Sequence, residues 1–271
     1  MLAVAPPTNS ILVPYIGGHR MIEIIKAKDR HFTDFGWLQT YWLFSFSSYF
    51  DPHNIQFGAL RVFNDDVVNP GTGFPTHPHE EMEIITIVIS GEMTHEDSMG
   101  NKSVIKAGDV QRMSAGTGLT HSEFNFAEKP VHFYQIWIFP DESALKPTYD
   151  QKTYSPSQWK NRLFPVASGQ GVPDTVTFHT DATIYRCNLD EGQSVVFDAT
   201  TGRRIFIYLT NGEMSVNEQK MDQKDQARID TENPLSIKAS TNAEFLLIDV
   251  PSCKGWGYSQ ETLQGEKNET Q

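Results

Sequence analysis

A chain of 271 residues with 38% hydrophobic content is long enough to bury one large core or two medium ones. Its 34 acidic side chains outweigh 22 basic ones, a formal charge of −12, and no Lys/Arg cluster interrupts that field, so neither a phosphate backbone nor an anionic membrane is the expected partner. The two cysteines, Cys187 and Cys253, are read as buried reduced thiols rather than a disulfide, and no apolar run approaches the ~18 residues of a membrane span.

Residues 1–20 open with Met-Leu-Ala-Val-Ala-Pro-Pro, which lacks the positive charge and apolar stretch of a secretory signal. They are read as an N-terminal extension, and a cytoplasmic location follows by default. From Met21 strand signals dominate. The segment Gly71-Thr-Gly-Phe-Pro-Thr-His77-Pro-His79-Glu-Glu-Met-Glu83 carries an H-x-H pair leaving a Gly/Pro-rich loop. In an extended chain alternate side chains share a face, so His77 and His79 stand about 6.6 Å apart on the same side. Ile84–Ile89 is a β-branched run, and Ser90-Gly91 joins it to Glu92–Glu96 as two strands about a tight turn. Asp97-Ser-Met-Gly-Asn101 is a second turn, leading into Ser103–Lys106. The Gly-rich segment Gly108 to Gly118 precedes a second pair, His121-Ser-Glu123. Val131–Phe139 is a further strand, with Ile136 and Ile138 on one face and Trp137 and Phe139 on the other.

Prolines 140, 147, 156 and 165 then punctuate a polar stretch, read as a linker (146–165) with a short helical turn near Ser157–Asn161. Strands resume at 176–179, 183–187, 194–197, 204–209 and 244–250. The polar run Asn217 to Asn233 reads as solvated surface, and 261–271 as a tail. A weak repeat links Ile-Val-Ile89-Ser-Gly91-Glu-Met-Thr94 with Tyr208-Leu-Thr-Asn-Gly212-Glu-Met-Ser215, implying two copies of one β-domain. Beyond His132 the only histidine is His179, so the second copy cannot repeat a three-imidazole site.

A lone histidine on a strand is ordinarily structural. Here three imidazoles and a carboxylate, in two alternating pairs on facing strands, can close on one ion at the roughly 2.0–2.2 Å that nitrogen and oxygen ligands require. Glu83 has the same strand parity as His77 and His79, so geometry leaves it open as the carboxylate. The other histidines have plainer readings: His95 as an exposed strand residue or part of a barrel mouth, His132 as structural, His53 as a turn residue. Phe124 and Phe126 could wall a pocket.

The two histidine stretches resemble the paired motifs of the cupins, and more closely those of the pirin family. The similarity is carried by His77-Pro-His79, Gly108 to Gly116, His121-Ser-Glu123-Phe-Asn125, Phe57-Gly-Ala-Leu-Arg-Val-Phe63 and Asp97-Ser-Met-Gly-Asn101. It is specific from Phe44 to Phe139 and diffuse beyond. It implies an all-β bicupin of two tandem β-barrels (double-stranded β-helix, or jelly-roll): residues 21–145 with the metal site, and 166–260 without ligands. It implies one divalent ion in the first barrel, Fe(2+), held by His77, His79, His121 and Glu123; Mn, Ni, Cu or Zn would also suit these donors. General cupins take their carboxylate from the position of Glu83, whereas the pirin pattern moves it to Glu123 and leaves Glu83 either behind the ligands or in the pocket. Ser114 where general cupins have Pro, and four residues between Gly116 and His121, fit the pirin variant. The implied activity is that of a quercetin 2,3-dioxygenase, opening a flavonol ring with O2 and using Glu123 as base. Two other functions stay open: a non-catalytic iron-binding redox-sensing regulator with a protein partner, and a cupin sugar isomerase.

Overall fold

The computed structural model describes residues 22–230 and 234–252. The extension 1–20, Cys253 and the tail 261–271 lie outside the described residues. The first half contains β1 (Ile22–Ile25), β2 (His31–Asp34), β3 (Leu38–Trp42), β4 (Leu60–Val68), β5 (Thr72–His79) and β6 (Glu83–Ser90). It continues with β7 (Glu92–Asp97), β8 (Lys102–Lys106), β9 (Asp109–Ser114), β10 (Leu119–Asn125), β11 (Val131–Ile138) and β12 (Thr148–Thr153). The second half contains β13 (Phe164–Ser168), β14 (Val176–Thr177), β15 (Thr183–Leu189), β16 (Ser194–Phe197) and β17 (Arg203–Asn211). It closes with β18 (Met214–Val216), β19 (Gln219–Met221), β20 (Gln226–Asp230), β21 (Leu235–Ala239) and β22 (Ala243–Pro251). The described helical pieces are two short 3-10 turns, Ala27–Asp29 and Pro156–Trp159, the second within the expected linker.

Each half is a pair of sheets. The first has a seven-stranded sheet, β12-β9-β6-β11-β4-β3-β2, and a four-stranded one, β5-β10-β7-β8. The second repeats this as β1-β20-β17-β22-β15-β13-β14 and β16-β21-β18-β19. The inner strands β6, β11, β17 and β22 of the two seven-stranded sheets are buried on both faces, which is why they read as nearly unbroken apolar runs. On β17, Phe206 and Tyr208 enter a core shared by the two halves, while Ile205, Ile207 and Leu209 enter the core of the second half. On β11, Tyr134, Ile136 and Ile138 face the shared core, while Val131, Phe133 and Trp137 face the interior of the first half. An all-β fold of two halves, each a pair of sheets, follows from this alternation.

Four expectations are corrected. Ser90-Gly91 does not close a hairpin: β6 pairs with β9 and β11, whereas β7 pairs with β8 and β10. Gly91 instead turns the chain from one sheet to the other, at φ 77°, where a Cβ would stand 2.7 Å from the Pro130 carbonyl. Gly212 makes the same corner between β17 and β18, with φ 84° and a Cβ position 2.0 Å from the Asn242 carbonyl. The repeat seen in the sequence is thus this corner, used twice. Second, the run from Asn217 is not all surface: β20 lies between β1 and β17 and buries Ala227 and Ile229. Third, residues 22–25, expected in the first barrel, pair with β20 of the second half. Fourth, the expected linker holds β12, which pairs with β9 along Thr148–Thr153.

Candidate metal centre

The site forms on two neighbouring strands of the four-stranded sheet rather than on facing ones. On β5 and β10 His121 lies directly across from His77, and His79 across from Leu119. Cross-strand partners have Cβ atoms about 5 Å apart, within imidazole reach. The register slips between His121 and Glu123, which pairs with Phe74, so β5 carries one extra residue beside Pro75. The slip lets Pro75 sit in a strand without losing a ladder bond.

His121 Nε2 lies 3.0 Å from His77 Nε2 and 3.0 Å from His79 Nε2. Two nitrogens that meet one ion at about 2.1 Å along perpendicular directions stand about 3.0 Å apart. Burial holds all three rings neutral. It lowers His77, brings His79 down to about 3 with help from His77, and keeps His121 well below the ordinary histidine value, with His79, His77 and His95 adding to the effect. His77 Nδ1 lies 2.7 Å from the Pro75 carbonyl, so it carries the proton and Nε2 keeps its lone pair. Neutral rings with lone pairs turned toward one point are the donor set of a metal centre.

Glu123 shares only His121 with that trio at close range. Its carboxylate groups instead with His121 and His95, all three buried. Glu123 Oε2 accepts a hydrogen bond from Gln135 Nε2 at 3.0 Å, and Gln135 is held in turn by Thr86. Glu123 Oε1 is buried without a partner, and burial pushes the carboxyl up to about 7. A cation would satisfy that oxygen, so the residues present fit a divalent ion.

Glu83 is not a pocket residue. It begins β6 in the other sheet, after a break at Glu80–Met82 where Glu81 takes φ 49°, so its parity with His79 does not survive. It faces the second half, accepting from Ser114 Oγ at 2.7 Å and pairing with His179 Nδ1 at 3.0 Å. His95 is fully buried rather than exposed, 3.1 Å from Asp97 Oδ2. His132 is structural, on Asp65 at 2.6 Å, and His53 sits in an exposed turn. Gln135 escaped notice, although a lone amide in the apolar strand Val131–Ile138 is a signal of something polar inside.

A cavity of about 530 Å³ opens onto the imidazoles, walled by Trp37, Trp42, Phe46, Phe74, Phe124 and Trp137. Phe126 stacks on Phe124 at 5.5 Å but is 70% exposed, so it backs the wall rather than forming it. Asp66 also lines the cavity, with Oδ1 unpartnered. Burial, with Asp65 and Glu123 nearby, pushes its carboxyl up to about 8. An unfolded aspartate ionises near ~4, so between that value and about 8 the folded protein holds a proton that the unfolded chain has released. Its contribution to stability therefore falls as pH rises through that window. Asp66→Asn should raise the Tm of the metal-free protein more at about pH 9 than at about pH 5. Equal shifts at the two pH values would show that Asp66 ionises normally.

In the second half β16 and β21 take the places of β5 and β10, and Leu235, Ile237, Val195 and Phe197 pack into its core. Apolar side chains fill the interior where the first half carries histidines. No described helix is long and apolar enough to cross a membrane.

Residues 25–138 match the family model described as Pirin, and residues 165–250 match the model described as Quercetinase C-terminal cupin domain. A quercetin 2,3-dioxygenase of Escherichia coli (strain K12) is 40% identical over 232 residues, 85% of this chain and 99% of the relative. A pirin-like protein of Caulobacter vibrioides is 39% identical over 218 residues, 80% of this chain and 94% of the relative. The crystal structure of the bacterial pirin YhhW from Escherichia coli in complex with nickel(II) is similar at a TM-score of 0.82 and 39% identity, covering 86% of this chain and 100% of that one.

Proposed function

The chain belongs to the pirin family, and on that premise we propose that it is a metal-dependent dioxygenase that opens the ring of a flavonol resembling quercetin. The observation that carries this reading is an aromatic-walled cavity of about 530 Å³ ending on three neutral imidazoles and a carboxylate with an unpartnered oxygen. The relatives named quercetin 2,3-dioxygenase support it. His77, His79 and His121 would hold one divalent ion, with Glu123 as the fourth donor. Fe(2+) is the metal that the family resemblance favours, and the nickel(II) complex of the Escherichia coli pirin supports nickel as an alternative. When bound, the ion supplies Lewis acidity toward a flavonol hydroxyl and a meeting point for substrate and dioxygen.

The chain's own residues do the rest. Trp37, Phe74 and Phe124 offer flat apolar faces to a planar substrate and exclude water from around it. Gln135 occupies Glu123 Oε2, which leaves Oε1 as the atom that would hold the ion or accept the hydroxyl proton. A buried carboxylate held by the hydrogen bond from Gln135 keeps one oxygen available to act as a base. Atoms balance as flavonol plus dioxygen giving a ring-opened ester and carbon monoxide. A regulator that never turned over would need no such chamber, so the open cavity favours catalysis.

The metal-loaded protein should consume quercetin and dioxygen in equal amounts and release carbon monoxide. No turnover after loading with iron, manganese, nickel, copper and zinc in turn would sink the assignment. His77→Ala should lose the bound metal, and full metal content in that variant would remove His77 from the ligand set.

A further inference from the structure

Behind the imidazoles, on the side away from the cavity mouth, lies a second layer of buried polar groups that the proposed chemistry does not use. On the neighbouring strand β7, Asp97 lies across from His121, and His95 across from Glu123. Parity turns both inward with the buried Met93. His95 Nε2 is 3.1 Å from Asp97 Oδ2, and His95 Nδ1 is 3.5 Å from His121 Nδ1. Gln111 Nε2 donates to the same His95 Nδ1 at 3.2 Å, and the Tyr149 ring stacks on His95 at 4.9 Å.

Asp97 is itself fixed. Its Oδ1 accepts the backbone amides of Met99 (2.9 Å) and Asn101 (3.0 Å), and its Oδ2 accepts the Asn101 side-chain amide at 2.8 Å. The Asp97-Ser-Met-Gly-Asn101 turn that stands out in the sequence is therefore a clamp on one carboxylate.

One proton arrangement satisfies these contacts with neutral rings. An ionised carboxylate can only accept, so His95 Nε2 must carry its proton toward Asp97. His95 Nδ1 is then an acceptor, which suits the Gln111 amide at 3.2 Å, and the 3.5 Å approach of His121 Nδ1 is attractive only when that nitrogen carries its proton and shares the same lone pair. His121 Nε2 is left with a lone pair directed at His77 and His79. His77 gets its tautomer from a neutral carbonyl, whereas His121 gets its own from a chain that ends on a charge.

We propose that Asp97 and His95 are positioning residues, a hydrogen-bonded relay that fixes the tautomer and orientation of His121 and thereby sets the affinity and redox potential of the cation bound there. This rests on the reading that the cation lies among His77, His79 and His121. Loading the ion makes His121 Nδ1–H more acidic, which strengthens its bond to His95. The negative charge of Asp97, felt through His95, makes His121 a better donor and favours the higher oxidation state. Outer partners of this kind are worth about 10- to 100-fold in metal affinity.

The test begins with the unaltered protein loaded with Zn(II). Nitrogen-15 NMR of the histidine rings should find His95 protonated on Nε2 and His121 on Nδ1. A proton on His95 Nδ1 would overturn the relay, and this measurement needs no variant to fold. Asp97→Asn and His95→Gln should then weaken Ni(II) binding about 10- to 100-fold in a chelator competition while one ion per chain still binds at saturation. Loaded with iron, Asp97→Asn should shift the Fe(III)/Fe(II) potential upward, a change that mere loosening of the fold would not produce in one direction. Affinity and potential equal to the unaltered protein in both folded variants would overturn the proposal. So would complete loss of the ion from folded His95→Gln, because His95 would then be a ligand, as its grouping with His121 and Glu123 allows. Failure of the unaltered protein to bind Zn(II) or Ni(II) would overturn the metal-centre reading itself. Normal binding there, with normal binding in the variants, overturns the relay alone.

Discussion

His121→Ala is expected to strip the protein of its metal and of any metal-dependent turnover. His121 is the ring that both other imidazoles approach, each at 3.0 Å, and it sits on the strand between β5 and β7. Removing it leaves His77 and His79 as a pair, too few to hold a divalent ion without help from Glu123. The loss should exceed the roughly 10- to 100-fold cost of removing an outer partner. Metal analysis after dialysis, with near-ultraviolet circular dichroism to verify the fold, measures it. A folded His121→Ala protein that retains one ion per chain would place the centre elsewhere, on Glu123 or His95.

Phe63→Ala should cost about 3–5 kcal/mol, the range for emptying an aromatic site in a rigid core. Phe63 has no solvent exposure and lies where the seven-stranded sheets meet. Its ring centroid is 5.2 Å from that of Tyr134 in its own half, and 5.3 and 4.9 Å from Phe206 and Tyr208 in the other. None of these neighbours can close the gap without leaving contacts of its own. At roughly 2–4 °C per kcal/mol for a chain of this size, Tm should fall by about 6–20 °C. Calorimetry should show one transition moving as a whole. A fall confined to one half, or a cost under about 1 kcal/mol, would mean that the shared core does not couple the halves.

Much of this was legible from the chain alone, for identifiable reasons. The run Ile84–Ile89 and the alternation in Val131–Phe139 announce strands because both faces of their sheet are buried. The H-x-H and H-x-E spacings announce the imidazole cluster because a strand's side-chain period is two. Glu83 misled because parity counts only within one strand, and Glu81 breaks the chain between the two sheets. His95 looked exposed although it shares parity with the buried Met93. The strand β12 hid in a polar stretch because its partner β9 is distant in sequence, and β20 hid because its buried Ala227 and Ile229 alternate with Gln226, Arg228 and Asp230 inside a polar run. Thr148, Tyr149 and Thr153 favour a strand only weakly beside Asp150, Gln151 and Lys152, and the open edge on β9 decides it.

That exchange of end strands bears on how the molecule could be taken apart. The first described strand completes the far sheet, and the stretch after residue 145 seals the near one. A cut between the lobes would bare the backbone of Gln226–Asp230 on the second fragment, and a cut made before Thr148 would also bare that of Asp109–Ser114 on the first. Such raw borders invite pairing between molecules. The lobes are therefore not interchangeable cassettes, and any redesign that transplants the histidine-bearing lobe must carry Thr148–Thr153 with it.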